Sequence, residues 1–162
     1  MKVLVISDTH GNYNALAQAV KLHPDAEVIL FLGDGESEAT RFKQNLTPAK
    51  RMLLVRGNND YNYEIPTEAC LTLERSRIFL THGHKYRVKS TLMSLQYAAK
   101  EQNADVVLFG HTHSPLIETS DGMLFFNPGT LGRSFLGKPT YGILEITKDG
   151  AVPSLHTLPK TP

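Results

Sequence analysis

The chain has 162 residues, 41% of them hydrophobic, which suffices for one ordinary core and makes a single domain over 1–162 the expectation. Net charge is +1 with histidine neutral, and the lysines and arginines are scattered rather than gathered into a stripe, so the sequence carries no clear signal for nucleic-acid binding. The lone cysteine, Cys70, excludes an intrachain disulfide, no apolar run approaches the ~20 residues of a membrane span, and no signal pattern opens the chain, so a cytoplasmic location is expected.

In chain order, residues 2–6 form a continuously apolar, β-branched run that reads as a strand buried on both faces, and it leads straight into Asp8-Thr9-His10. Asn12 then stands as a helix cap, with Ala15, Leu16, Ala19 and Val20 at helical spacing until His23-Pro24 closes the segment. The unit repeats: 27–32 enters Gly33-Asp34, a more polar helix follows over 37–45, and 51–55 enters Gly57-Asn58-Asn59-Asp60. Strand alternating with helix argues for an α/β fold.

After residue 60 the rhythm changes. Segments 69–74 and 77–81 are spaced as a hairpin, and the second delivers His82-Gly83-His84. The spacing predicts a helix over 88–102 with Val88, Leu92, Leu95 and Ala99 on one face, then a strand over 105–109 delivering Gly110-His111-Thr112-His113. Strand-length apolar runs follow at 116–119, 123–126, 141–146 and 152–158, punctuated by Asp121-Gly122 and Asp149-Gly150, both strong hairpin signals. A β-rich carboxyl half after a β-α amino half predicts two packed sheets with helices outside, and the tail from Pro159 is expected to fray.

Five apolar runs thus end in short stretches of Asp, His, Asn and Gly. Taken singly, each has a plainer reading: Gly-Asp and Gly-Asn are turn pairs, and a lone buried histidine is more often a hydrogen-bonded core residue than a ligand. Of seven histidines, however, His10, His82, His111 and His113 sit in motifs at strand exits, His84 is adjacent, and only His23 and His156 lie elsewhere. Carboxylate, amide and imidazole groups collected at strand ends have the ligand chemistry of one site for two metals. If the backbone stays extended, Asp8 and His10 share a direction and can grip one ion, and His111 and His113 can likewise reach neighbouring ions. The two oxygens of Asp34 can bridge a pair of cations.

In this order, Asp8-x-His10, Gly33-Asp34, Gly57-Asn58, His82 and Gly110-His111-x-His113 resemble the signature of the calcineurin-like metallophosphoesterases. Thr81-His82-Gly83-His84 and Asn127-Pro128-Gly129-Thr130 are most similar to the small single-domain YfcE-type phosphodiesterases. The resemblance covers nearly the whole chain and implies a four-layer αββα sandwich of two mixed β-sheets flanked by helices, with the site at one edge of the sheets. It further implies that Asp8, His10 and His113 hold one metal, that Asn58, His82 and His111 hold the other, and that Asp34 bridges them. The implied activity is hydrolysis of a small phosphodiester by water or hydroxide activated between two divalent transition-metal ions. Asp34, Asn58, His82 and His84 would stand at the reacting centre. Mixed nitrogen and oxygen ligands without thiolate suit Mn, Fe, Zn, Co or Ni, and the resemblance favours Mn.

Asn59 departs from the broader family, many of whose members carry histidine there to protonate the leaving group. An amide cannot deliver a proton at neutral pH, and general acid catalysis is commonly worth ~10²–10⁴-fold, so good leaving groups should be preferred unless His84 substitutes. Candidate substrate contacts are Asn12, for which helix capping is the safer reading, Asn59 itself, and Arg133, which reads equally as a solvated surface arginine. Asp60 would either support a ligating histidine or stabilise its own turn, and 127–130 could shape a loop over the site. Leu131, Phe135 and Leu136 could form a patch for self-association into a homo-oligomer, a lid, or part of the core. The competing function is a non-catalytic interaction scaffold of the same fold, as in the retromer sorting complex, where the metal site is degraded. All seven expected ligands are present here, and scaffolding gives no reason to cluster polar groups at strand ends.

Overall fold

Alternation within the apolar runs sets the layers. In the computed structural model, which describes residues 1–132 and 137–159, the run at Lys2–Ile6 is strand β1. Its Val3 and Val5 face one way, Leu4 and Ile6 the other, and all four are fully buried, so the strand lies between two apolar layers. The chain continues with α1 (Tyr13–Leu22), β2 (Val28–Phe31), α2 (Glu36–Gln44), β3 (Arg51–Leu54), β4 (Glu68–Leu73), β5 (Ser76–Thr81), a 3₁₀ turn (His84–Tyr86) and α3 (Met93–Glu101). It ends with β6 (Val106–Leu108), β7 (Leu116–Ser120), β8 (Met123–Asn127), β9 (Thr140–Thr147) and β10 (Gly150–Thr157).

These strands form two five-stranded sheets, ordered β10-β9-β1-β2-β3 and β4-β5-β6-β8-β7. Both are mixed. In the first, β1, β2 and β3 run parallel while β9 pairs antiparallel with β1 and β10. In the second, β5, β6 and β8 run parallel while β4 and β7 are antiparallel edges. Three apolar layers result. Leu4, Ile6, Ile29 and Phe31 meet Leu16, Ala19 and Ala39 of α1 and α2. Val3, Val5, Val28 and Leu30 meet Ile78, Leu80, Val106, Leu108 and Phe126 between the sheets. Phe79, Val107, Phe109 and Phe125 meet Leu95 and Ala99 of α3. The architecture is the helix-flanked double sheet expected from the sequence.

Asn12 caps α1 by accepting the Ala15 N–H at 3.0 Å, and α2 carries Glu36 and Glu38 in its first turn and Arg41 and Lys43 in its last, matching the helix dipole. The helix expected over 88–102 is shorter, beginning only at Met93. Arg87 adopts a left-handed φ of 53° and its carbonyl accepts from Ser90 and Thr91, which closes a turn where the apolar spacing alone suggested helix. Val88 is still buried, but as a turn residue packed beneath Gly83. Leu131 also packs inward, while Phe135 and Leu136 lie outside the described residues. Among the described residues no helix is long and apolar enough to cross a membrane.

The two sheets pack closely where β9 crosses Phe126 of β8. A Cβ added to Gly142 would lie 2.3 Å from the Phe126 ring, which is itself fully buried, so neither partner has room to move. Gly142→Ala should therefore destabilise the protein by about 1–3 kcal/mol through overpacking. Urea unfolding followed by circular dichroism would register this as a lower midpoint with an unchanged slope.

Candidate metal centre

The motif loops leave the carboxyl ends of β1, β2 and β3 in one sheet and of β5 and β6 in the other, so both sheets feed one edge. Backbone hydrogen bonds lock neighbouring loops in sequence: Asp8 N–H donates to Gly33 O, His10 N–H to Asp34 O, and Gly110 N–H to His82 O, at 3.0, 3.0 and 3.1 Å. The His111 N–H crosses between sheets to Asp8 Oδ2 at 3.1 Å, beside the Ser7 hydroxyl, which donates to the same oxygen at 2.5 Å. The chain does not leave the strands extended, as the sequence reading assumed. Asp8, His10, Asp34, His111 and His113 all have φ between 45° and 66°. This left-handed kink turns each side chain in toward the shared edge, and Asp and His are among the non-glycine residues that best tolerate it.

Two groups of ligand atoms converge there. Asp8, His10 and His113 form one and Asp34, His82 and His111 the other, with atoms inside each group within 4.8 Å of one another. His113, two residues beyond His111, thus falls in the other group. In the first group His10 Nε2 and His113 Nε2 are 3.1 Å apart, and Asp8 Oδ1 lies 3.1 Å from His113 Nε2 and 3.7 Å from His10 Nε2. In the second, His111 Nδ1 is 3.2 Å from His82 Nε2, which is 3.5 Å from Asp34 Oδ2. Asp34 Oδ2 is also 4.0 Å from His10 Nε2, so this carboxylate stands between the groups.

The donors fit divalent cations. Asp8 is fully buried, yet its Oδ1 makes no hydrogen bond, and a desolvated carboxylate oxygen facing imidazole nitrogens is costly without a positive charge among them. His82 Nδ1 bonds the Leu32 carbonyl at 2.7 Å, which fixes that nitrogen as the donor and leaves the Nε2 lone pair facing Asp34. The family of hard oxygen and imidazole donors, with no thiolate, suits first-row transition metals.

Charge effects follow the geometry. Burial would raise the Asp34 carboxyl, but His82 and the Asn59 backbone and side-chain N–H groups overcome it and hold Asp34 well below the usual carboxylate range. Burial pushes His82 down, but Asp34, Asp8 and the Leu32 carbonyl more than offset this and raise it. The Asp8 carboxylate raises His113 against the effect of burial, whereas burial, His82 and Lys89 lower His111 to about 4. His84 is lowered by burial and by His82, with Lys85 and Arg56 adding to the effect.

Supporting residues hold these loops. Asp60 is buried and accepts four backbone N–H groups, from Asp34 and Gly57 at Oδ2 and from Gly35 and Glu36 at Oδ1, at 2.8–3.0 Å. It therefore braces the Asp34 loop and its own turn, and touches no histidine. Gly57 must be glycine for the same junction, because a Cβ there would lie 2.1 Å from Asp34 Oδ1. Asn59 donates from its backbone to Asp34 Oδ1 at 2.9 Å and from its side chain to Oδ2 at 2.6 Å. Asn58 shares this turn, its side chain exposed and without a hydrogen bond among the described residues.

Segment 127–130 buttresses the site from behind instead of covering it. Asn127 donates to Gly110 O and Thr112 Oγ1 at 3.0 Å, and the Thr130 hydroxyl donates to Asp8 O at 2.7 Å. Glu38 accepts from the Thr9 hydroxyl and the Gly11 N–H at 2.6 and 2.5 Å, clamping the loop that carries Asp8 and His10. Glu38 and Lys89 were not legible as site residues, since each acts on groups brought near by folding, and Ser7, which acts on its neighbour Asp8, was missed as a common residue type. Asn12 is engaged in its cap, and Arg133 lies outside the described residues. The His84 ring borders the second group, with its centroid 5.5 Å from that of His82 and 6.2 Å from that of His111.

Comparison with known proteins agrees with this geometry. A Bacillus subtilis protein named a probable metallophosphoesterase, YsnB, is 37% identical over 93% of this chain and 88% of its own. The Escherichia coli phosphodiesterase YfcE is 31% identical over 90% of this chain and 88% of its own. Among solved structures, an archaeal phosphodiesterase superposes with a TM-score of 0.77 at 28% identity, covering 96% of this chain and 100% of the other. Vps29 from Entamoeba histolytica, solved with Zn²⁺, shares the fold at a TM-score of 0.76 and 20% identity, over 98% of this chain and 100% of its own. Residues 1–149 match the calcineurin-like phosphoesterase superfamily domain, a metal-dependent group of phosphoester hydrolases, and the chain belongs to that superfamily.

Proposed function

We propose that the protein is a cytoplasmic phosphodiesterase, a single domain over 1–162, that hydrolyses a small phosphodiester with two divalent transition-metal ions, Mn first among Mn, Fe, Zn, Ni and Co. Asp8, His10 and His113 would hold one ion and Asn58, His82 and His111 the other, with Asp34 between them. The observation that carries this reading is the buried Asp8 Oδ1, which faces the ring nitrogens of His10, His82 and His113 with no hydrogen bond of its own. Two bound ions supply Lewis acidity toward a phosphoryl oxygen and a lowered pKa for water.

The chain's own residues do the positioning. Leu32 O orients His82, Asn59 orients Asp34 and keeps it anionic, and Asp60 fixes both loops through their backbones. The Asn59 side chain is committed to Asp34 and carries no acidic proton, while burial and His82 leave little of His84 protonated at neutral pH. Both features favour substrates whose leaving group needs no proton. Lys89, whose charge is felt at His111 and His113, offers attraction to a phosphate anion at the rim. The relative named a phosphodiesterase supports the diester reading. A scaffold role would leave two complete groups of ligand atoms without a purpose.

Metal-stripped protein should regain hydrolysis of bis(p-nitrophenyl) phosphate on addition of Mn²⁺, and Asp34→Asn or His82→Ala should lose at least about 10²-fold of it. Folded, metal-loaded protein inactive with Mn, Zn, Ni and Mg alike would count against the proposal. Acidification should weaken metal binding, because His82 and His113, both raised by neighbouring carboxylates, must be deprotonated to ligate. Apparent affinity should be unaffected well above their raised pKa values and should fall progressively below them, by up to about tenfold per pH unit for each histidine, as competition with a metal-sensitive dye would report. Asp60→Ala leaves four N–H groups without their acceptor and should cost roughly 2–4 kcal/mol of stability, read by thermal unfolding, together with weaker metal retention on dialysis.

A further inference from the structure

The first turn of α2 carries two glutamates with different surroundings. Glu36 is half-buried and accepts the backbone N–H groups of Tyr61 and Asn62, whereas Glu38 is buried and turns to the loop after β1. One oxygen, Glu38 Oε1, accepts both the Thr9 hydroxyl at 2.6 Å and the Gly11 N–H at 2.5 Å. Thr9 and Gly11 flank His10, so a single carboxylate oxygen pins the chain on both sides of one candidate ligand, through the stronger, charge-assisted kind of hydrogen bond. The fit is close, since a Cβ at Gly35 would lie 1.9 Å from Thr9 Oγ1 and 2.7 Å from Glu38 Oε1.

His10 depends on this support in a way that His82 does not. The His82 ring is anchored through Nδ1 to the Leu32 carbonyl at 2.7 Å, a partner outside the ligand groups. Among the described residues, the His10 ring makes its only hydrogen bond to His113, which is itself a candidate ligand. The direction of the His10 ring is therefore set by its backbone, which is left-handed at φ 45° and is followed by Gly11 at φ 85°. Such a conformation persists in a non-glycine residue only where surrounding contacts over-determine it. Those contacts are the His10 N–H bond to Asp34 O and the two bonds to Glu38 Oε1.

We propose that Glu38 is a positioning residue for His10, and that it governs retention of the ion assigned to Asp8, His10 and His113 while leaving the ion on the His82 side unchanged. Glu38 belongs to neither ligand group and acts through Thr9 and Gly11. This role rests on the two-ion reading above. Residues that orient a metal ligand in this manner contribute roughly 10–100-fold to metal affinity.

The test is Mn²⁺ binding to metal-stripped protein, followed by calorimetry and electron paramagnetic resonance, with thermal unfolding to confirm that each variant is folded. The wild type should bind two ions per chain with coupled spins. Glu38→Ala should weaken one ion by at least about tenfold and the other by no more than about twofold, so that at limiting Mn²⁺ the spectrum becomes that of an isolated ion. Glu38→Gln keeps an acceptor oxygen and should behave as the wild type. Thr9→Val keeps the volume but removes the hydroxyl, and should weaken the same ion, which carries the test if Glu38→Ala does not fold. His10→Ala identifies that ion: in this background Glu38→Ala or Thr9→Val should change the remaining affinity by less than about twofold. Two ions held by folded Glu38→Ala and Thr9→Val as tightly as by the wild type, or a further large loss in the His10→Ala background, would overturn the positioning role and leave the two-ion reading intact. A wild type that binds fewer than two ions would overturn that reading and the role of Glu38 with it.

Discussion

The seam between the two sheets is held at its functional edge by one carboxylate. Asp8 leaves β1 in the first sheet, yet its Oδ2 accepts the backbone N–H of His111 from the second. Ser7 saturates the same oxygen, so Oδ1 alone remains, directed at His10 and His113. One side chain therefore helps tie the sheets together, alongside the His82 bond to Leu32 O, fixes the start of the Gly110–His113 loop, and presents a desolvated anion to the ligand cluster. Removing it would leave a buried N–H and a hydroxyl unpaired as well as losing a ligand, which couples the fold to the site.

That coupling explains how strained backbone persists here. Five of the expected ligands hold a left-handed φ, a conformation that costs non-glycine residues of order 1 kcal/mol or more each. Hydrogen bonds from outside each loop over-determine it: Asp60 braces the Asp34 loop, Glu38 the Asp8–Gly11 loop, and Asn127 the Gly110–His113 loop. None of these three bracing residues belongs to either converging ligand group, and each comes from an element distant in sequence from the loop it holds. The kinks in turn place His111 and His113 in different ligand groups, although only Thr112 separates them.

Outside the centre the structure is an ordinary layered one, in which strands with two apolar faces require cover on both sides. Helices α1 and α2 cover the first sheet and α3 the second, and the interface between the sheets is filled by Val, Leu and Ile from both together with Phe126. The helical layers reach the site through single residues, Glu38 from α2 and the Asn12 cap from α1. The loop that follows Asp60 is tied to α2 by Glu36, which accepts the Tyr61 and Asn62 N–H groups.

The sequence by itself determined the strand and helix order, the sheets' two-sided burial and the ligand types at strand exits, because apolar periodicity and the pairing of turn residues with Asp and His are local properties. It misjudged α3, since Val88 and Leu92 keep helical spacing while Arg87 and the turn to Thr91 break the helix in a way spacing does not register. Asp60 was visible in its motif and as a brace of its own turn, but its wider role was not, for three of its four N–H partners lie on the turn after β2, 24 to 26 residues away. Glu38 was silent for the same reason, as a residue of common type whose partners are assembled only by long-range contact, and Thr130 was visible in its segment although its bond to Asp8 O was not. The family resemblance already implied how the ligands divide between two groups; tertiary structure alone decided the left-handed kinks that produce the division, because hydrogen bonds from the neighbouring loops and from the opposite sheet impose them.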